Sequence, residues 1–214
     1  MDKNNLFIEI LPEKQKKIFV ELAGKKWLKN FYLAGGTSLA LQIGHRESID
    51  FDFFSNQKFN TTNIIQDLEQ IGKFELFSSD KDTINGQLND VQVSFFFYKY
   101  NLVNELLDYE NINLASKLDI ALMKLEAIAS RGNKKDFIDL HFLLKEFDLE
   151  ELYLKYHLKY GKGLDNKYHL LKSLAYFSDA DNEPMPKMHV EINWEAIKAD
   201  ILEKVRALEK KILK

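Results

Sequence analysis

The sequence predicts an α+β protein: a mixed β-sheet with packed helices over residues 1–110, then a helical region over 111–214 packed on that core. Three observations predict it. Short apolar runs alternate with helical patterns in the first half, which favours a sheet with helices laid on it. Runs 73–78, 83–88 and 91–98 are separated only by turn-rich pieces, Ser79-Asp80-Lys81-Asp82 and Asn89-Asp90, as in an antiparallel meander. From about residue 112 apolar residues recur at helical spacing almost to the end.

Each element has its own signal. Residues 11–29 read as a helix with Pro12 near its first turn and Ile18, Phe19, Leu22 and Ala23 on one face. Phe31 to Ala34 reads as a short strand, Gly35-Gly36 as a turn, and the next residues as a helix opened by Thr37 and Ser38. Gly44 to Ser48 is a polar loop leading to a strand that carries Asp50 and Asp52. Thr61 or Thr62 caps a helix running to about Ile71. In the second half Leu118, Leu122, Leu125 and Ala129 form an apolar stripe that ends at Gly132-Asn133. Helices follow over 134–147, 149–160 and 166–177, with Gly161-Lys-Gly163 as a break between the last two. A loop with Pro184 and Pro186 precedes a closing amphipathic helix over 194–211.

Composition narrows the possible functions. The 214 residues suffice for a sizeable core, and 45% hydrophobic with 29% charged residues belongs to a globular rather than a disordered chain. A net charge of -3 supplies no overall attraction to nucleic acid, so any such contact must be local. There is no cysteine, which excludes disulfides and thiolate metal sites. The first residues lack an apolar targeting run and no stretch approaches a membrane span, so a cytoplasmic protein without membrane contact is expected. His141, His157, His169 and His189 show no metal-ligand spacing, and no nucleophile elbow or Walker-type phosphate loop occurs.

One stretch carries recognisable chemistry. Two glycines let a backbone approach a ligand without a Cβ in the way, and the helix after them offers free N–H groups and a positive dipole end. The amides of Gly36, Thr37 and Ser38 would therefore suit the phosphates of a nucleotide, with Gly35 at the turn and Arg46 as a bidentate phosphate partner. Residues two apart in a strand share a face, so Asp50 and Asp52 project together while Phe51 and Phe53 pack behind. Paired carboxylates beside a phosphate cradle are what Mg²⁺-dependent phosphoryl or nucleotidyl transfer requires, the acids holding Mg²⁺ or Mn²⁺. Lys117, Lys124 and Arg131, spaced by seven, fall on one helix face, where a solvated basic stripe is the plainer expectation.

The string Leu33-Ala-Gly-Gly-Thr-Ser-Leu-Ala-Leu41 with His45-Arg46 and Ser48-Ile-Asp-Phe-Asp-Phe-Phe54 resembles the AbiEii/AbiGii-type toxin family of the nucleotidyltransferase superfamily. The block Leu118 to Leu140 is similar as well. The resemblance implies a nucleotidyltransferase-like fold and an NTP-dependent transferase. The acceptor would be a hydroxyl of RNA (tRNA included) or protein, and the setting a toxin–antitoxin or antiphage system with a cognate antitoxin. It assigns Lys124 to the triphosphate or leaving pyrophosphate, gives Arg131 a place in nucleotide binding, and gives Asp136 or Asp139 a supporting role. One departure stands out: Ser94 occupies the place where many nucleotidyltransferases carry a third carboxylate. It leaves room for an alternative, a catalytically weak NTP-binding or partner-binding module. Phe96, Tyr98 and Tyr100 could form a stacking surface for a base, with packing as the plainer reading.

Overall fold

The computed structural model describes residues 6–161 and 165–212, so the first five residues and the Lys162-Gly163 part of the expected break lie outside the described residues. The chain divides into two compact units, Met1–Ser116 and Lys117–Lys214.

The first unit is a seven-stranded mixed sheet with helices. Its strands are β1 (Tyr32–Ala34), β2 (Phe51–Ser55), β3 (Phe74–Asp80), β4 (Thr83–Leu88), β5 (Val91–Phe97), β6 (Leu107–Tyr109) and β7 (Ile112–Leu114). They lie in the order β3-β4-β5-β2-β1-β7-β6. The meander β3-β4-β5 is antiparallel, β5 joins β2 in parallel, β2 joins β1 antiparallel, and β7 joins β1 in parallel. The helices are α1 (Glu13–Ala23), α2 (Gly35–Ile43) and α3 (Thr61–Glu69).

Alternation decides which side of the sheet is core. Along β2, Phe51, Phe53 and Ser55 are buried while Asp52 and Phe54 are half-buried. Phe51 and Phe53 pack with Val93, Phe95, Ile84 and Leu88 under Phe19, Leu22, Ile64 and Leu68 of α1 and α3. The Phe53 and Phe95 rings stack at 5.2 Å. Burying such side chains contributes on the order of 1.5–3 kcal/mol each, so this face anchors the strand that carries Asp52.

Local corrections follow from side-chain chemistry. The first helix stops at Ala23, and a 3-10 turn over Lys26–Asn30 replaces its last part. Asn60, not Thr61 or Thr62, caps α3, its side-chain oxygen accepting from the Asn63 amide. Strand β7 falls where helix was expected, and β6 in a stretch given no element; strands of three residues are too short to leave a periodic signal. An edge strand also bends the simple alternation. In β3, Leu76 pairs with Gly86 and Ser78 with Asn85, so Phe77 is the extra residue of a β-bulge. The bulge turns Ser78 to the face of the sheet that carries Asn85, and Asn85 Nδ2 donates to Ser78 Oγ at 3.1 Å.

The second unit is helical: α4 (Lys117–Ser130), α5 (Lys134–Leu143), α6 (Leu149–Tyr160), α7 (Asp165–Leu174), the one-turn α8 (Ser178–Asp181) and α9 (Trp194–Ile212). The helix expected over 134–147 thus ends at Leu143, and α8 lies in the segment expected to be loop. Asp148 caps α6 by accepting from the Glu150 and Glu151 amides. No helix among the described residues is long and apolar enough to cross a membrane.

Candidate active site

The glycine pair and the acidic strand meet at the N-terminus of α2. The helix begins at Gly35 itself, so the glycines form its first turn rather than a turn ahead of it. Gly35 has φ of +69°, a left-handed conformation that favours glycine. A methyl group placed on Gly35 would lie 3.2 Å from Asp52 Oδ2, which sets that carboxylate directly against the helix start. A methyl group on Gly36 would come within 2.5 Å of the Arg46 guanidinium and 3.2 Å of Ser48 Oγ. The missing side chains thus make room for a carboxylate on one glycine and a guanidinium on the other.

Hydroxyls and one amide lock this arrangement. Thr37 does not cap the helix. Its hydroxyl donates to the Asp50 carbonyl and shares a hydrogen bond of 2.9 Å with Ser48 Oγ. The loop carrying Asp50 is thereby tied to the first turn of α2. Ser38 is fully buried, and Gln42 Nε2 reaches its hydroxyl at 3.2 Å and the Ala115 carbonyl at 3.0 Å. His45 and Arg46 are buried, not solvated as a polar loop would be, and Arg46 Nη1 donates to the Glu47 carbonyl at 3.0 Å. Asp50 sits just before β2 and Asp52 within it, both partly exposed.

The register places Ser94 precisely enough to judge the departure. Asp52 pairs with Ala34 on one side and Ser94 on the other, and Ser94 pairs in turn with Asn85. Directly opposed residues share a face, so Asp52, Ser94, Asn85 and Ser78 form one polar row. The Asp52 carboxylate with the neighbouring Ser94 hydroxyl supplies oxygen donors of the kind a hard divalent cation takes. Among the described residues no three of His, Cys, Asp and Glu cluster to hold a metal.

The second unit gathers the other expected residues. Lys124 on α4 bridges Asp136 at 2.8 Å and Asp139 at 2.6 Å on α5, and all three side chains are almost wholly buried. Arg131 follows α4 and holds Asp136 through Nε at 2.9 Å, with 57% of its side chain exposed. Burial pushes the Asp136 pKa up, but Lys124 and Arg131 outweigh it and hold the carboxyl below its ordinary value. Lys117 pairs with Glu146. Of the three cations spaced by seven only Lys124 is withdrawn from solvent, though each has an acidic partner. Asp136 does lie in the first turn of α5, yet its carboxylate is spent on cations, not on a cap.

Residues that sequence reasoning passed over complete both places. Ser48 ties Thr37, and only its position eleven residues after a buried hydroxyl could have pointed to it. Beside Arg131, a cavity of about 300 Å³ is lined by Lys172, Ser173, Tyr176 and Asp179. No local pattern marks these residues, since helix packing alone brings them together.

Comparison with known proteins fits this geometry. The family model described as "Nucleotidyl transferase AbiEii toxin, Type IV TA system" matches residues 18–109 and 98–212. An uncharacterized protein of Aquifex aeolicus (strain VF5) is 36% identical over 202 residues, covering 92% of this chain and 96% of its own. Among solved structures, the nucleotidyltransferase toxin MenT4 of Mycobacterium tuberculosis H37Rv has a TM-score of 0.59 at 16% identity, covering 90% of this chain and 82% of its own. JHP933 of Helicobacter pylori has a TM-score of 0.54 at 19% identity, with 94% of each chain covered. At such identities the two structures speak for the fold alone. The family model spans nearly the whole chain, glycine turn, acidic strand and helical cluster included, and the chain belongs to the AbiEii family of nucleotidyltransferase toxins.

Proposed function

We propose that this enzyme moves a nucleoside monophosphate from an NTP to an acceptor hydroxyl of RNA, tRNA included, or of protein, and that Asp50 and Asp52 carry the reaction with Mg²⁺ or Mn²⁺. The observation that carries the reading is the Asp52 carboxylate set against Gly35 at the opening of α2, with the Arg46 guanidinium against Gly36.

The chemistry follows from charge. The α-phosphorus of a triphosphate resists attack until its anionic oxygens are neutralised and the nucleophile is aligned. On this reading the first-turn amides of Gly36, Thr37 and Ser38 bind the terminal phosphates, and Arg46 adds a buried positive charge to the same helix end. The acids at 50 and 52 would hold the divalent ion, which supplies charge neutralisation and polarises the phosphoryl oxygens. The tie from Thr37 to the Asp50 carbonyl keeps acid and cradle in register, so that neither has to be ordered when substrate arrives. Lys124, Asp136, Asp139 and Arg131, which the family resemblance assigns to nucleotide handling, form one ion-pair cluster within the helical unit, with Arg131 as its exposed member and the buried Lys124 between its two acids.

The cellular setting on this reading is the cytoplasm, with a cognate antitoxin as partner. A second reading has one observation in its favour. Ser94 beside Asp52 leaves the metal with two protein carboxylates, which suits an NTP-binding or partner-binding module with weak chemistry. Incubation with each α-labelled NTP, total RNA and total protein separates the two. Label gained by one pool and abolished by Asp52→Ala supports transfer. An NTP- and Mg²⁺-dependent thermal shift without label in either pool supports the module.

A further inference from the structure

The face of the sheet that carries Asp52 holds a second row of side chains with no place in the phosphate chemistry. One pleat along the strands, Tyr32 of β1 pairs with Phe54 of β2, which pairs with Phe96 of β5. Two residues of strand separate this row from Asp52, roughly 7 Å. The rings form a chain: Tyr32 to Phe54 at 6.0 Å, Phe54 to Phe96 at 5.3 Å, Phe54 to Tyr98 at 5.7 Å, and Tyr98 to Tyr100 at 5.4 Å. On the core face Phe51, Phe53 and Phe95 are fully buried. Phe54, Phe96, Tyr98 and Tyr100 all keep exposed surface.

At the end of this row, where β1 begins and β2 ends, lies a cavity of about 210 Å³. Tyr32, Lys29, Asn30, Asn56 and Gln57 line it, with Leu102 closing one side. Its three side-chain amides are exposed, and each offers both donors and an acceptor, the complement of a nucleobase edge. Lys29 at the cavity and Lys99, whose Nζ lies 5.1 Å from the Tyr100 ring, supply positive charge for phosphates.

We propose that this aromatic row and the amide-lined cavity at its end bind unpaired nucleobases of an RNA acceptor, laying its terminus across the sheet toward Asp52. The inference rests on the transferase reading above and deepens it by choosing RNA as the acceptor. Length decides for a strand over a mononucleotide. One nucleotide has one base to stack, whereas the partly exposed rings of Phe54, Phe96, Tyr98 and Tyr100 run over two adjacent strands and beyond. Base edges occupied in a duplex could not meet the amides, so the acceptor end is single-stranded.

Fluorescence anisotropy with a labelled five-nucleotide single-stranded RNA and a blunt RNA hairpin tests this, using the full chain. Two variant pairs are used: Phe96→Leu with Tyr98→Leu, and the exposed pair Asn56→Ala with Gln57→Ala, which leaves the core untouched. The wild type is expected to prefer the single strand. Each pair should weaken its binding on the order of tenfold, the first through lost base stacking and the second through lost hydrogen bonds to base edges. In transfer assays each pair should raise KM for RNA with KM for NTP unchanged. Equal binding of strand and hairpin, unchanged binding by both pairs, or label found only in protein each overturn the proposal. The transferase reading has its own readout. If the wild type binds the single strand with the expected variant losses but labels neither pool, that reading fails and the base-binding row stands.

Discussion

Gly36 and Arg46 share a space that one methyl group would fill, so a small substitution there has a large expected effect. Gly36→Ala forces the buried guanidinium aside and should cost about 1–3 kcal/mol, as overpacking does. It should also raise KM for NTP, and thermal melts with and without nucleotide measure both effects. Asp52→Asn keeps shape but removes charge. On the proposed mechanism it should lower transfer by at least about 100-fold with little change in Tm, because an interaction made chiefly in the transition state is lost. The buried cluster behaves differently. Lys124→Met removes the cation shared by Asp136 and Asp139 and should cost about 3–5 kcal/mol in chemical denaturation. Asp136 also sets an acid limit. Its pKa lies below the unfolded value of about 3.9, so folding favours the ionised form. Its stabilising contribution is complete above about pH 4 and disappears as pH falls through the folded value. Asp136→Asn should flatten the stability curve in that acid range, and should leave Lys124 pairing at Asp139.

At the scale of elements, β3 is the long exposed edge of the sheet, with Leu76 and Phe77 both well exposed. A regular edge of that kind pairs readily with another chain, and a bulge disrupts the template. Deleting Phe77 leaves Leu76 and Ser78 on the faces they already occupy and removes the irregularity. The variant should fold and associate in a concentration-dependent way, which sedimentation velocity would detect. A profile identical to that of the unaltered chain across concentrations would show that the bulge protects nothing. Helix α3 depends on a single cap. Asn60→Ala should cost about 1 kcal/mol through the lost bond to the Asn63 amide.

For the whole molecule, a net charge of -3 supplies no overall attraction to nucleic acid, so on the proposed reading it is held by local phosphate contacts and by flat contacts to bases. With Lys29 and Lys99 as the phosphate contacts, the log–log dependence of single-strand affinity on salt should have a slope of roughly −1.4, from about 0.7 per phosphate contact. A much steeper slope would place binding on a basic surface elsewhere.

The glycine pair, the acidic strand and the meander were legible because each is local. Strand, helix start and Asp-x-Asp fall within 21 residues (32 to 52), and their order follows from period and turn chemistry. The β6–β7 hairpin was not, since its three-residue strands gain their stability from β1, some 80 residues earlier in the chain. Nor was the state of the cations. A lysine at helical spacing reads as solvated until the packing of α4 on α5 brings Asp136 and Asp139 to it, and Arg46 reads as loop until Gly36 supplies the space it fills. The sequence by itself determined the order of glycine pair, helix start and acidic strand, because residue type and short spacing carry that information. Only the tertiary structure decided which of them are buried, which acid stands beside Ser94, and which aromatic rings share its face, because register and burial are set by contacts between segments far apart in the chain.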